Sequence, residues 1–65
     1  MNKEQAKLRG MRAEHKLTMA DMAKIIGTSE LTYSKKERGI TDFSLSEAAR
    51  IAESFGVEIS DIFLS

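Results

Sequence analysis

Gly27-Thr28-Ser29 leaves a helix-forming chain only three residues in which to end one helix and begin the next. Gly27 suits the position just past a helix end, because a residue without Cβ takes positive φ at little cost. Ser29 suits the cap of the following helix, where its hydroxyl can accept a backbone N–H. The flanking segments fit this reading. Thr18 can cap the N–H of Asp21, the Asp21 carboxylate favours a first turn, and Met22, Ala23, Ile25 and Ile26 form one apolar face. The third helix is expected from Ser29 through about Glu37, closed by Arg38-Gly39. Two helices of about eight residues on a tight glycine turn describe a helix-turn-helix.

The rest of the chain adds three more helices. The first is expected from roughly Lys3 to His15, with Asn2 as cap and Leu8, Met11 and then Leu17 as an apolar stripe. Gly10 inside it either admits a close neighbour or is tolerated at a cost of about 1 kcal/mol relative to Ala. After the loop Ile40-Thr-Asp-Phe43, the run Ser44-Leu-Ser-Glu47 has the form of a capping box. The helix it starts is expected to end before Gly56, with Leu45, Ala48, Ala49, Ile51, Ala52 and Phe55 on its buried side. A last turn is expected around Asp61 to Leu64. Pro is absent and Gly is sparse, which suits an all-α fold of five helices.

Sixty-five residues are near the lower size limit for a core that folds without disulfides or metals, and the sequence has no cysteine to supply either. Residues 1–65 are expected to form one domain. A lone His15 cannot build a metal site on His ligands. No metal, cofactor or small-molecule ligand is therefore expected, and no membrane partner, since no apolar run approaches a membrane span. Cytoplasmic, nucleoid-associated placement is the corresponding expectation. Nothing in the chain resembles a catalytic constellation: one His, no Cys, and no acid pair on a framework able to enclose a pocket.

Net charge is zero, so its distribution matters more than its total. Residues 1–16 set Lys3, Lys7, Arg9, Arg12 and Lys16 against Glu4 and Glu14, a net +3. Residues 44–65 set Arg50 against Glu47, Glu53, Glu58 and Asp61, a net −3. The C-terminal end would be repelled by phosphate. Lys3, Lys7 and Lys16 read as a solvated face.

The run LTMADMAKIIGTSELTYSKKERG, followed by SLSEAARIAESFGVEISDIF, resembles the Cro/C1-type (XRE) family of helix-turn-helix transcriptional regulators over residues 6 to 63. The resemblance implies a five-helix, lambda-repressor-like DNA-binding domain. It implies a bacterial or bacteriophage regulator, a repressor before an activator, that binds double-stranded operator DNA as a homodimer. The helix from Ser29 to Glu37 would be the recognition helix, with Thr28, Ser29, Glu30, Leu31, Thr32 and Lys35 at positions that face bases or adjoining phosphates. Arg38 and Gly39 match the loop that meets the sugar-phosphate backbone, and Lys36 joins Lys35 as a phosphate contact. Arg12 matches an arginine that, in the family, pairs with the Glu at the end of that helix, here Glu37.

Three residues depart from the family pattern. Met19 stands where Gln is usual. Lys36 stands where an apolar residue packs on the core, so its stem is expected to lie along the core with its ammonium outward. Phe43 replaces a Pro or small residue, offering either a core contact or an exposed apolar anchor. Tyr33, at an Ile position, reads as core before a base-stacking ring. Glu30 and Leu31 are unexpected leads for a helix approaching a polyanion, yet a carboxylate can accept from cytosine N4 and a leucine can touch a thymine methyl. The competing reading is a DNA-binding-deficient adaptor or anti-repressor, with Met19, Leu31 and Phe43 as an apolar protein-binding patch.

The tail Val57-Glu-Ile-Ser-Asp-Ile-Phe-Leu64 is too apolar for so small a core to cover. Val57, Ile59 and Ile62 are expected to pack against Phe55 and Leu17, leaving Phe63 and Leu64 as an apolar edge for a dimer interface.

Overall fold

Three of the helix starts are fixed by side chains that the sequence places one residue ahead of them. In a computed structural model that describes residues 5–63, the elements are α1 (Ala6–Glu14), α2 (Met19–Ile26), α3 (Glu30–Glu37), α4 (Leu45–Phe55) and α5 (Ile59–Ile62). Thr18 Oγ1 accepts the Asp21 N–H at 3.1 Å while Asp21 Oδ2 accepts the Thr18 N–H at 2.9 Å. Ser44 and Glu47 form the same reciprocal pair at 3.1 and 2.9 Å, and Ser29 Oγ accepts the Thr32 N–H at 3.2 Å. These bonds satisfy donors that every helix start leaves open. Asp21 is held below the ordinary carboxylate value by the Thr18 N–H. For Glu47 burial works the other way, but the Ser44 N–H and Lys36 outweigh it and keep the carboxyl low.

Gly27 takes φ 73°, and the Thr28 N–H reaches back to the Ala23 carbonyl at 2.9 Å, so the α2–α3 turn closes on a left-handed residue. The same device ends α1 without a glycine. Lys16 has φ 58°, and the Leu17 N–H donates to the Arg12 carbonyl at 3.0 Å. Composition gave no hint of that turn.

α2 packs against both α3 and α4, α5 sits on α4, and α1 lies against α3. The core is Leu8 from α1, Met22, Ala23 and Ile26 from α2, Tyr33 from α3, Ile51 and Ala52 from α4 and Ile62 from α5. Each fully buried Leu, Ile or Met stabilises by about 1.5–3 kcal/mol. Among the described residues, no helix is long and apolar enough to cross a membrane.

Several expectations shift. α1 begins at Ala6 rather than near Lys3; Asn2 and Lys3 lie outside the described residues, and Gln5, the residue ahead of α1, makes no side-chain cap. Its backbone N–H instead donates to the Glu37 carbonyl at 2.9 Å, which pins the start of α1 to the end of α3. Leu17 reaches the core from the turn after α1, not from the helix. Leu45 is 77% exposed and Ala49 is exposed. At 100° per residue the buried arc of α4 is centred between Ala48 and Ile51, and Leu45 and Ala49 fall on its flank. α5 starts two residues earlier than expected, at Ile59, with the Glu58 N–H donating to Asp61 Oδ2 at 2.9 Å.

Phe43 resolves as a core contact. Its ring meets Tyr33 edge-on at 5.9 Å and Phe63 at 5.3 Å. Phe63 is thus half-buried against the chain's own core rather than a free edge, because the Phe43 ring gives it an aromatic partner. Leu64 lies outside the described residues.

Candidate nucleic-acid interface

The back of α3 is fixed by a polar cluster in an otherwise apolar setting. Glu37 is fully buried. Its Oε2 accepts from Arg12 Nε at 2.8 Å and from the Tyr33 hydroxyl at 2.8 Å, and its Oε1 accepts from Arg12 Nη2 at 3.1 Å. Arg12 also donates from Nη1 to the Leu17 carbonyl at 3.1 Å, and Arg9 Nε stands 3.9 Å from Oε1. The fork-on-fork geometry holds both planes in register. α1 and α3 are thereby tied through one carboxylate, and the Arg12 guanidinium ties the α1–α2 turn to them. Hydrogen bonding to Glu37 raises the Arg12 pKa further, and burial, then the bond to Glu37, pushes the Tyr33 hydroxyl well above its ordinary value.

With Tyr33 and Glu37 turned inward, α3 presents Leu31, Lys35 and Arg38 outward, with Ser34 half-buried among them and Glu30 at the edge. Leu31 is 62% exposed. Arg38 reaches back from Nε to the Ser34 carbonyl at 3.4 Å. The structure brings Glu30, Leu31, Lys35 and Arg38 together on one face. Thr28 is half-buried in the turn, and Ser29 and Thr32 are bound to each other, Ser29 Oγ donating to Thr32 Oγ1 at 2.9 Å.

Lys36 is placed differently. Its stem lies against the molecule as expected, but its ammonium does not stand out into solvent. Nζ donates to the Asp42 carbonyl at 2.9 Å, pairs with Glu47 Oε1 at 3.1 Å and sits 5.9 Å from the Phe43 ring centroid. An apolar residue in that place would pack on the core; a lysine instead bridges the end of α3, the loop and the start of α4. Ser34 was not among the residues expected on the outer face. Its spacing, three after Leu31 and four after Glu30, carries that signal.

Comparison with known proteins places this geometry. The family model described as helix-turn-helix matches residues 8–62. An uncharacterised HTH-type transcriptional regulator of Methanocaldococcus jannaschii is 48% identical over 58 residues, which cover 89% of this chain and 88% of that protein. The chain belongs to the Cro/C1-type helix-turn-helix family of transcriptional regulators. Among solved structures, the clp gene regulator ClgR of Corynebacterium glutamicum matches with a TM-score of 0.77 at 27% identity, over 92% of this chain and 78% of that one. A further ClgR crystal structure, of which the chain spans 64%, gives 0.81. Iron(II) HppE in complex with substrate gives 0.76 at 26% identity, with 88% of this chain matching only 33% of that one. The helix-turn-helix fold thus also serves as about a third of a substrate-binding protein.

α3 is the second helix of the motif. The paired caps at Thr18 and Ser29 start both helices of the motif, and the Arg12–Glu37–Tyr33 cluster sets how far α3 stands from α1.

Proposed function

We propose that this protein is a sequence-specific DNA-binding transcriptional regulator, acting as a repressor by occupying its operator. The single observation that carries the reading is the two-sidedness of α3: a back locked by buried Glu37 and Tyr33, and a front of exposed Leu31, Lys35 and Arg38. A rigid backing is what a helix needs to enter a major groove in one orientation. Lys35 and Arg38 supply phosphate attraction, and Thr28, Ser29, Glu30, Leu31 and Thr32 lie at the leading end. Lys36, held by Asp42 and Glu47, serves the interface by fixing the loop behind it. Residues 1–65 act as one unit, and two copies fill a palindromic operator with recognition helices about 34 Å apart. Leu64, with the half-buried Phe63 beside it, is the proposed contact between copies.

The test is a binding titration on operator DNA at several salt concentrations. Lys35→Ala and Arg38→Ala should each weaken binding across all sequences and lower the salt slope by about one unit. Leu64→Asp should abolish cooperative filling of two half-sites. Unchanged binding in both cation variants would overturn the placement of α3. A protein-binding adaptor is the second reading, favoured by the exposure of Leu31 beside a zero net charge; it requires that DNA binding be absent at low salt.

A further inference from the structure

The leading turn of α3 offers several polar side chains, and the structure sorts them. Ser29 Oγ accepts from the Thr32 N–H and donates to Thr32 Oγ1, so both hydroxyls are engaged with each other in the cap. Thr32 also lies about 100° around the helix from Leu31, on the side away from Ser34. Tyr33 is buried. Glu30 and Leu31 are left exposed, and the Glu30 carboxylate makes no hydrogen bond or ion pair with another described residue.

Resting on the reading that α3 enters the major groove, we propose that Glu30 and Leu31 are the base-discriminating pair, and that the operator half-site carries a cytosine against Glu30 and an adjoining thymine against Leu31. A carboxylate only accepts. Of the four bases, cytosine presents the N4 amino group as its hydrogen-bonding group in the major groove, whereas guanine and thymine present acceptors and adenine sets N7 beside its N6 donor. A solvated carboxylate that enters the groove against an acceptor loses water and gains nothing. Glu30 therefore rejects guanine and thymine as well as selecting cytosine. Leu31 makes no hydrogen bond, and the thymine C5-methyl is the apolar group the groove offers it. Consecutive side chains diverge by about 100° around the helix but leave it only about 1.5 Å apart along its axis, which puts adjoining base pairs within their joint reach.

The experiment selects bound sites from duplexes with a randomised half-site, using the unaltered protein, Glu30→Gln, Leu31→Ala and the phosphate-contact control Arg38→Ala. The unaltered protein should enrich cytosine next to thymine. Glu30→Gln should change the cytosine position to adenine, because an amide can pair with N6 and N7 together, and Leu31→Ala should erase the thymine preference alone. Arg38→Ala should keep the selected sequence. Replacing the selected thymine by uracil removes one methyl and should weaken the unaltered protein about fourfold while leaving Leu31→Ala indifferent. Both side chains are exposed, so both variants should melt as the parent does. Identical preferences for the parent and Glu30→Gln, or equal affinity of the parent for thymine and uracil duplexes, overturn the pair. A parent that binds no DNA at any salt overturns the proposed function together with it.

Discussion

Glu37 is the residue on which the geometry of α3 depends. A buried carboxylate is tolerable only because Arg12 and Tyr33 both donate to it, and removing one partner of such a cluster strands a charge away from water. Arg12→Ala is expected to cost about 3 kcal/mol, a large share of the stability of so small a protein. The double variant Arg12→Ala with Glu37→Gln should recover part of that loss, since the stranded group is then neutral. Urea denaturation of the three proteins checks it, and an Arg12→Ala variant as stable as the parent would show that the cluster is ornamental. The pairing of Arg12 with Glu37 was suggested by family resemblance alone. The third member, the Tyr33 hydroxyl, stands four residues before Glu37, a spacing that puts both side chains on one face of the helix, but in the sequence Tyr33 reads only as a core residue.

At the scale of elements, helix starts were more legible than helix faces. Thr18, Ser29 and Ser44 act through neighbours three residues away, so their capping bonds are local and can be read from order alone. Leu45 was expected on the buried side of α4 and is 77% exposed. The helical period puts it on the flank of the buried arc, and whether a flanking residue is covered depends on what packs there, which local order does not say. Gly10 illustrates the same division. A close approach of a second helix was one explanation for it, yet a methyl group built there meets nothing within 4 Å. Gly10→Ala should therefore stabilise α1 by about 1 kcal/mol and raise the melting temperature by several degrees, roughly 4–8 °C for a domain of this size. A thermal melt followed by circular dichroism tests this, and a lower melting temperature would mean that the glycine is needed.

For the whole molecule, the shifted groups predict a stability plateau with a fall on each side. Asp21 and Glu47 are held below their ordinary values, so the stability they contribute is present above about pH 4.5 and is lost as pH falls through their lowered folded values. Tyr33 is shifted the other way. Its raised value means that the unfolded chain ionises first, so the stability it contributes is complete below about pH 10 and declines as pH rises beyond it. Melting temperatures should be nearly flat from about pH 5 to about pH 9. Tyr33→Phe should lower the plateau but flatten the alkaline limb, and an alkaline limb unchanged in that variant would exclude Tyr33 as its source.

The order of the helices, the caps at Thr18, Ser29 and Ser44, the glycine turn and the exposure of Leu31, Lys35 and Arg38 follow from local order, because a capping bond and a 3.6-residue period act within one or two turns. The tertiary structure alone decided the destinations of two side chains and the conformation of one backbone turn. Lys36 turned its ammonium to Asp42 and Glu47 because the loop carries a carbonyl and the start of α4 a carboxylate within its reach. Phe63 folded inward because Phe43 stood ready to meet it. Lys16 took a left-handed turn because Leu17 had to reach the core from a helix with no glycine at its end. Each outcome depends on groups that are distant in sequence or on a packing demand, and neither is written in the spacing of residues along the chain.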